Sequence, residues 1–140
     1  MQADNRAVPL RTAWADVAVA GWTIGHLRSW FAGSWRVEVG RVLAEMRRVA
    51  RPTGRLVVCE TLGTGSLSAA PPVPELGECY ALFESLGFER TVIATDYGFA
   101  SAEEAAATLG FFFGPDLVDA IRANGWARVP EWTGIWTRDR

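Results

Sequence analysis

Apolar positions along the chain fall in two kinds of block, short unbroken runs and longer runs with helical spacing. Residues 14–21, WADVAVAG, are an apolar run of small and β-branched side chains with Asp16 near its start. That is the pattern of a strand buried on both faces of a parallel sheet. Residues 22–34 are irregular, with glycines at 25 and 33 and several aromatics. From Ser34, a candidate N-cap, Val39, Val42, Leu43, Met46 and Val49 recur at spacings of three and four. This predicts a helix to about Ala50, with Arg36, Glu38, Arg41, Glu45 and Arg48 mostly on its polar face. Glu38 and Glu45 each lie three residues from an arginine, and arginines in the last turn suit the negative end of the helix dipole.

Pro52-Thr53-Gly54 is expected to break that helix, since proline cannot continue it and glycine favours a turn. Residues 55–61, RLVVCET, then read as another buried strand, followed by a Ser-, Ala- and Pro-rich loop over 64–74. Residues 73–86 read as a helix with Leu76, Tyr80, Phe83 and Leu86 or Leu82 in register and Gly87 as its stop. Residues 88–95, FERTVIAT, are a third strand. Ser101 caps a further helix with Glu103 and Glu104 in its first turn. Pro115 opens another, ended by Asn124-Gly125. Residues 126–137 form a last strand interrupted by Pro130 and Gly134. The order β-α-β-α-β-(αα)-β predicts one α/β domain over 1–140, with right-handed crossovers and a mostly parallel sheet of about four strands flanked by helices.

Composition narrows the function classes. The 140 residues are 49% hydrophobic and 21% charged, with a net charge of -2. All fourteen basic residues are arginines, scattered except for Arg47, Arg48 and Arg51. A nucleic-acid surface needs a clustered basic face, so no nucleic-acid partner is expected. No apolar run approaches the roughly 18 residues of a membrane span, and no signal-peptide core is present. Cys59 and Cys79 lack metal-ligand spacing, so no metal is expected, and two unpaired thiols suit a cytoplasmic protein.

Candidate chemistry is sparse. Gly63-Thr64-Gly65 follows a strand, but a phosphate-binding loop needs a helix starting directly behind it. Ser66 to Pro72 contains two prolines and Ser68 where a third glycine would stand, so the pair reads as an ordinary connection. His26, the only histidine, lies just beyond the carboxyl end of the first strand, where open α/β sheets place their sites. It is either a substrate contact or a solvated loop histidine. Asp4, Glu60, Asp96 and Glu131 are acids near strand ends, of which Asp4 and Glu60 would share one cleft. Trp22, Trp30 and Trp35 either wall a pocket or complete a small core.

Two segments carry a resemblance that spans the chain. One is Ala3-Asp4-Asn5-Arg6-Ala7-Val8-Pro9-Leu10, followed by Ala15-Asp16-Val17-Ala18-Val19. The other is Leu43-Ala44-Glu45-Met46-Arg47-Arg48-Val49-Ala50-Arg51-Pro52-Thr53-Gly54 with the Leu-Val-Val strand behind it. In this order they resemble the carboxyl-terminal part of a class I S-adenosylmethionine-dependent methyltransferase. The segment from Ala3 is similar to that family's acidic loop, its Leu-Pro-type turn and the strand opening on Asp-Val. The segment from Leu43 is similar to the helix and Leu-Arg-Pro-Gly-Gly-like turn before the fifth strand, with Thr53 where glycine is common.

The resemblance implies a partial Rossmann-like fold, the C-terminal half of a seven-stranded sheet. It also implies S-adenosylmethionine as cofactor and a small-molecule methyl acceptor. Carried over by position, Asp4 resembles the acid that accepts from the adenine amino group, and Asn5 would bring its backbone N–H to the ring. Gly21 and Trp22 would border the methionine part, and His26 and Glu60 would face the substrate. The catalytic residue is not identified, since methyl transfer asks little beyond in-line placement. The family's first strand, glycine-rich loop and ribose-binding acid have no counterpart here. The expectation is therefore a chain inactive alone, its 14–21 strand left with an open edge that pairs with the missing N-terminal half or with another copy. The alternative is a non-catalytic α/β domain that associates through that edge.

Overall fold

The computed structural model describes residues 2–140. Six strands and five helices follow in the order β1 (Ala15–Gly21), α1 (His26–Trp30), α2 (Trp35–Val49), β2 (Ala50–Thr64), α3 (Pro74–Ser85), β3 (Glu89–Ala94), β4 (Tyr97–Gly98), α4 (Ala102–Phe113), α5 (Pro115–Asn124), β5 (Arg128–Val129) and β6 (Glu131–Asp139). Four strands form one sheet in the order β1-β2-β6-β3, and β4 and β5 pair antiparallel in a smaller one. The fold is α/β, with a four-stranded sheet and flanking helices.

The helices follow their apolar spacing and their caps. On α2 the residues Val39, Val42, Leu43, Met46 and Val49 are all buried, as their spacing requires. Ser101 Oγ accepts from Glu104 N at 3.1 Å and so caps α4. Gly125, in the left-handed region at φ 62°, ends α5. Ser34 occupies the N-cap position of α2 but makes no side-chain cap bond.

Four expectations are corrected. The 22–34 segment is not wholly irregular, because a one-turn helix, α1, forms at its centre. Pro52-Thr53-Gly54 is not a turn between elements, since β2 runs continuously from Ala50 to Thr64. The parallel pairing with β1 steps from Ala15↔Ala50 to Val17↔Arg55, so residues 51–54 stand opposite Asp16 alone, a bulge-like irregularity with three extra residues on β2. A Cβ on Gly54 would lie 2.9 Å from the Asp16 carbonyl oxygen and 3.0 Å from that of Arg51, which is why glycine stands there. Gly134 does not interrupt the last strand, and only Pro130 separates β5 from β6. Finally, β1 is not buried on both faces: Ala20 is buried while Val17 is 50% exposed and Val19 63% exposed.

The chain divides into two compact units. The first comprises Met1–Glu60, Val73–Thr91 and Gly134–Arg140. Its core packs Trp136 against Tyr80 and Phe83, with ring centroids 4.6 and 5.6 Å apart. Trp136 Nε1 donates to Glu84, so the indole is buried without an orphaned N–H. The other unit comprises Thr61–Pro72 and Val92–Thr133. Its core is the α4–α5 hairpin, where Ala105, Ala106, Leu109, Leu117 and Ile121 close over Val129. Phe111, Phe112 and Phe113 at the end of α4 remain exposed.

Candidate functional site

Two groups of residues in the first unit carry the candidate chemistry. One is the loop before β1. It lies against α2 because Val8 N donates to Glu45 Oε1 at 2.7 Å and Arg48 donates to the carbonyls of Leu10 and Val8. Asp4 sits in this loop, with its carboxylate engaged by Arg6 through three hydrogen bonds. These bonds hold its pKa down at about 2. Arg6 continues to Glu38 Oε2 at 2.8 Å, and Glu38 also accepts from Arg41 at 2.9 Å. The polar-face expectation for Glu38 is thereby overturned: it is buried, with its charge met by two guanidinium groups.

The other group lies at the carboxyl end of β1. Gly21 pairs with Cys59 of β2, and Trp22 N donates to the Cys59 carbonyl at 2.7 Å. A Cβ built on Gly21 would meet nothing within 4 Å, so the backbone there faces open space. Trp22 has φ 50°, and a bulky side chain in the left-handed region marks a strained backbone held by its surroundings. The holding group is Glu60, buried at 4% exposure, whose Oε1 accepts from the N–H groups of Ile24 and Gly25, each at 2.9 Å. Burial pushes the Glu60 carboxyl up and these N–H groups pull it back. His26 opens α1 directly behind them, exposed, with its ring stacked on Trp30 at 5.3 Å.

The six site residues thus fall into an Asp4–Asn5 loop strapped to α2 and a Gly21–Trp22–His26–Glu60 turn. Glu60 supports that turn through backbone bonds, a role that spacing alone does not reveal. Trp35 is buried, whereas Trp22 and Trp30 are exposed. In the other unit, Asp96 accepts from Arg128 at 2.9 Å, and Glu131 is buried with Oε1 accepting from Thr61 at 2.9 Å. Glu131 Oε2 has no hydrogen-bond partner among the described residues. Gly63 and Gly65 have positive φ, and no helix begins behind them before Pro74. Among the described residues no cluster of His, Cys, Asp or Glu could hold a metal ion, and no helix is long and apolar enough to cross a membrane.

Comparison with solved structures fits this architecture. The YcgJ protein of Bacillus subtilis matches over 100% of this chain and 70% of its own, at 14% identity and a TM-score of 0.51. The chain has the class I methyltransferase fold. A putative type II methyltransferase from Anaeromyxobacter dehalogenans matches over 98% of this chain and 69% of its own, at 19% identity and a TM-score of 0.48. The [4+2]-cyclase SpnF matches over 99% and 55%, at 19% identity and a TM-score of 0.46. This chain therefore spans only 55–70% of the length of these structures. No protein-family model matches it, and no curated protein does.

Proposed function

We propose that this chain is the carboxyl-terminal portion of an S-adenosylmethionine-dependent methyltransferase acting on a small molecule, and that it is inactive until its sheet is completed along β1. The observation that carries the reading is the bare edge itself. β1 has one neighbour in the sheet, β2, and leaves Val17 and Val19 exposed on one face. Trp14 and Trp22, 47% and 53% exposed, bracket it at either end. An edge strand of this kind is a template for another strand, and Gly21 opens onto free space at its carboxyl end.

The chain's own residues suit the cofactor at the points where they can be tested. Asp4 retains acceptor capacity on Oδ2 for an adenine amino group, beside the backbone N–H of Asn5. Gly21 lets a ligand approach the backbone where any side chain would fill the space. When bound, the sulfonium supplies an activated methyl group. What this chain supplies is placement: Glu60 fixes the turn that carries His26, and His26 is the exposed group there that can meet a substrate. The unpaired thiols of Cys59 and Cys79 suit a reducing, cytoplasmic setting.

Calorimetric titration of the isolated chain with S-adenosylmethionine tests this. The expected result is no binding at micromolar concentrations, and micromolar binding would show that the site needs no further strands. The alternative reading, a non-catalytic domain that pairs through the same edge, rests on the same exposed valines. It predicts a stable dimer in light scattering that Val19→Lys dissociates, with adenosine failing to bind at any concentration.

A further inference from the structure

The Asp4 carboxylate is held by one residue, which is in turn held by a helix. Arg6 donates to Oδ1 from its backbone N–H at 2.8 Å and from Nε at 2.9 Å, and to Oδ2 from Nη2 at 2.6 Å. An ionised carboxylate offers about four acceptor positions. Three are filled, so a single position remains, on Oδ2. The free end of the guanidinium does not point to solvent: Nη1 donates to Glu38 Oε2 at 2.8 Å. The same group lies over the Phe31 ring, 5.1 Å from its centroid. Glu38 belongs to α2 and is buried, with its other oxygen held by Arg41. The loop acid is therefore tied to a rigid element through one planar fork.

We propose that Arg6 is a positioning residue for a 6-aminopurine: anchored on α2 through Glu38, it fixes the Asp4 carboxylate in one orientation with one open acceptor position on Oδ2 for the exocyclic amino group. The inference rests on the reading of Asp4 as the adenine-binding acid. Arg6 itself does not touch the purine. It acts by removing the rotamer freedom that Asp4 would otherwise lose on binding, which is a preorganisation effect. Only a guanidinium can hold a carboxylate through two parallel bonds and reach another acceptor, so lysine does not substitute.

The test is a titration of adenosine into the ¹³C,¹⁵N-labelled full chain, followed at the amides of Asn5 and Ala7. It compares the wild type with Asp4→Asn, Arg6→Lys and Glu38→Gln. Asp4→Asn is expected to weaken binding about tenfold, the loss of one charge-assisted hydrogen bond. Arg6→Lys and Glu38→Gln, neither of which removes a ligand contact, are each expected to weaken it roughly threefold. The Asp4 carboxyl resonance provides a readout independent of binding. Its pKa near 2 rises toward the ordinary 3.8 in Arg6→Lys, and less far in Glu38→Gln. If Asp4→Asn leaves adenosine affinity unchanged, or adenosine does not bind, the adenine reading itself fails. If Asp4→Asn weakens binding and Arg6→Lys does not, that reading stands and the positioning role of Arg6 is overturned. Arg6 lies in the loop, outside α2, and lysine keeps its charge, so Arg6→Lys carries the test even where Glu38→Gln disturbs α2.

Discussion

The first unit holds carboxylates in two opposite ways. In the loop before β1, Asp4 and Glu38 share Arg6, and Glu45 is held by Arg48, so charge meets charge and each acid is pulled below its ordinary range. At the end of β1, Glu60 is held by backbone groups rather than by an arginine fork. Backbone N–H dipoles and the nearby His26 favour its charged form, and its burial raises its pKa. The loop uses ionised carboxylates as fasteners on a helix surface. The turn uses one carboxylate as the centre around which a strained backbone folds. The loop arrangement is modular and tolerant; the turn depends on a single side chain.

The largest effect should therefore come from Glu60→Ala. It strands the buried N–H groups of Ile24 and Gly25, a loss of about 3 kcal/mol in the urea unfolding free energy. A loss no larger than that of Glu45→Gln would erase the contrast. Trp22→Gly comes next. Relief of the left-handed φ should stabilise the chain by about 1 kcal/mol. In a Glu60→Ala background the gain should shrink, because the turn that enforces the strain has already loosened.

The pH dependence should have opposite signs in the two regions. Glu60 has a raised folded pKa, so its contribution is full below the ordinary 4.5 and is lost as pH rises through the folded value. Glu45 has a lowered folded pKa, so its contribution is full above 4.5 and is lost as pH falls through the folded value. Melting temperature against pH should then lose the decline that sets in above pH 4.5 in Glu60→Gln, and part of its acid-side decline in Glu45→Gln. The smallest effect is Arg41→Gln. The partner charge is shared with Arg6 and the guanidinium is solvated, so any loss should vanish at high salt.

Features encoded locally could be read from the sequence, and features that depend on distant segments could not. The Ser101 cap, the stop at Gly87 and the buried stripe of α2 each depend on residues within a turn or two of one another. The apolar run of β1 was also legible as a strand, but periodicity cannot say whether both faces are covered, and Val17 and Val19 are bare. Glu38 lies on the polar side by spacing, and it is buried because Arg6, 32 residues earlier, closes over it. Asp4, Gly21, Trp22 and Glu60 were identifiable as candidates through the family-like segments and their places at strand ends. The support that Glu60 gives was not, because its partners are backbone groups that any residue could supply. The left-handed Trp22 carries no signal either, since such a conformation is ordinarily announced by glycine.

The α4–α5 hairpin has a consequence in time. Its core residues come from two neighbouring helices joined through Gly114, so they meet across a short stretch of chain. Glu60 must instead find Ile24 across 36 residues. Loop closure of that length is slower, so pulsed hydrogen exchange during refolding should protect the amides of α4 and α5 before those of Ile24 and Gly25. The candidate site would then be among the last parts of the molecule to take shape, with the hairpin already folded while β1 is still searching for its neighbour.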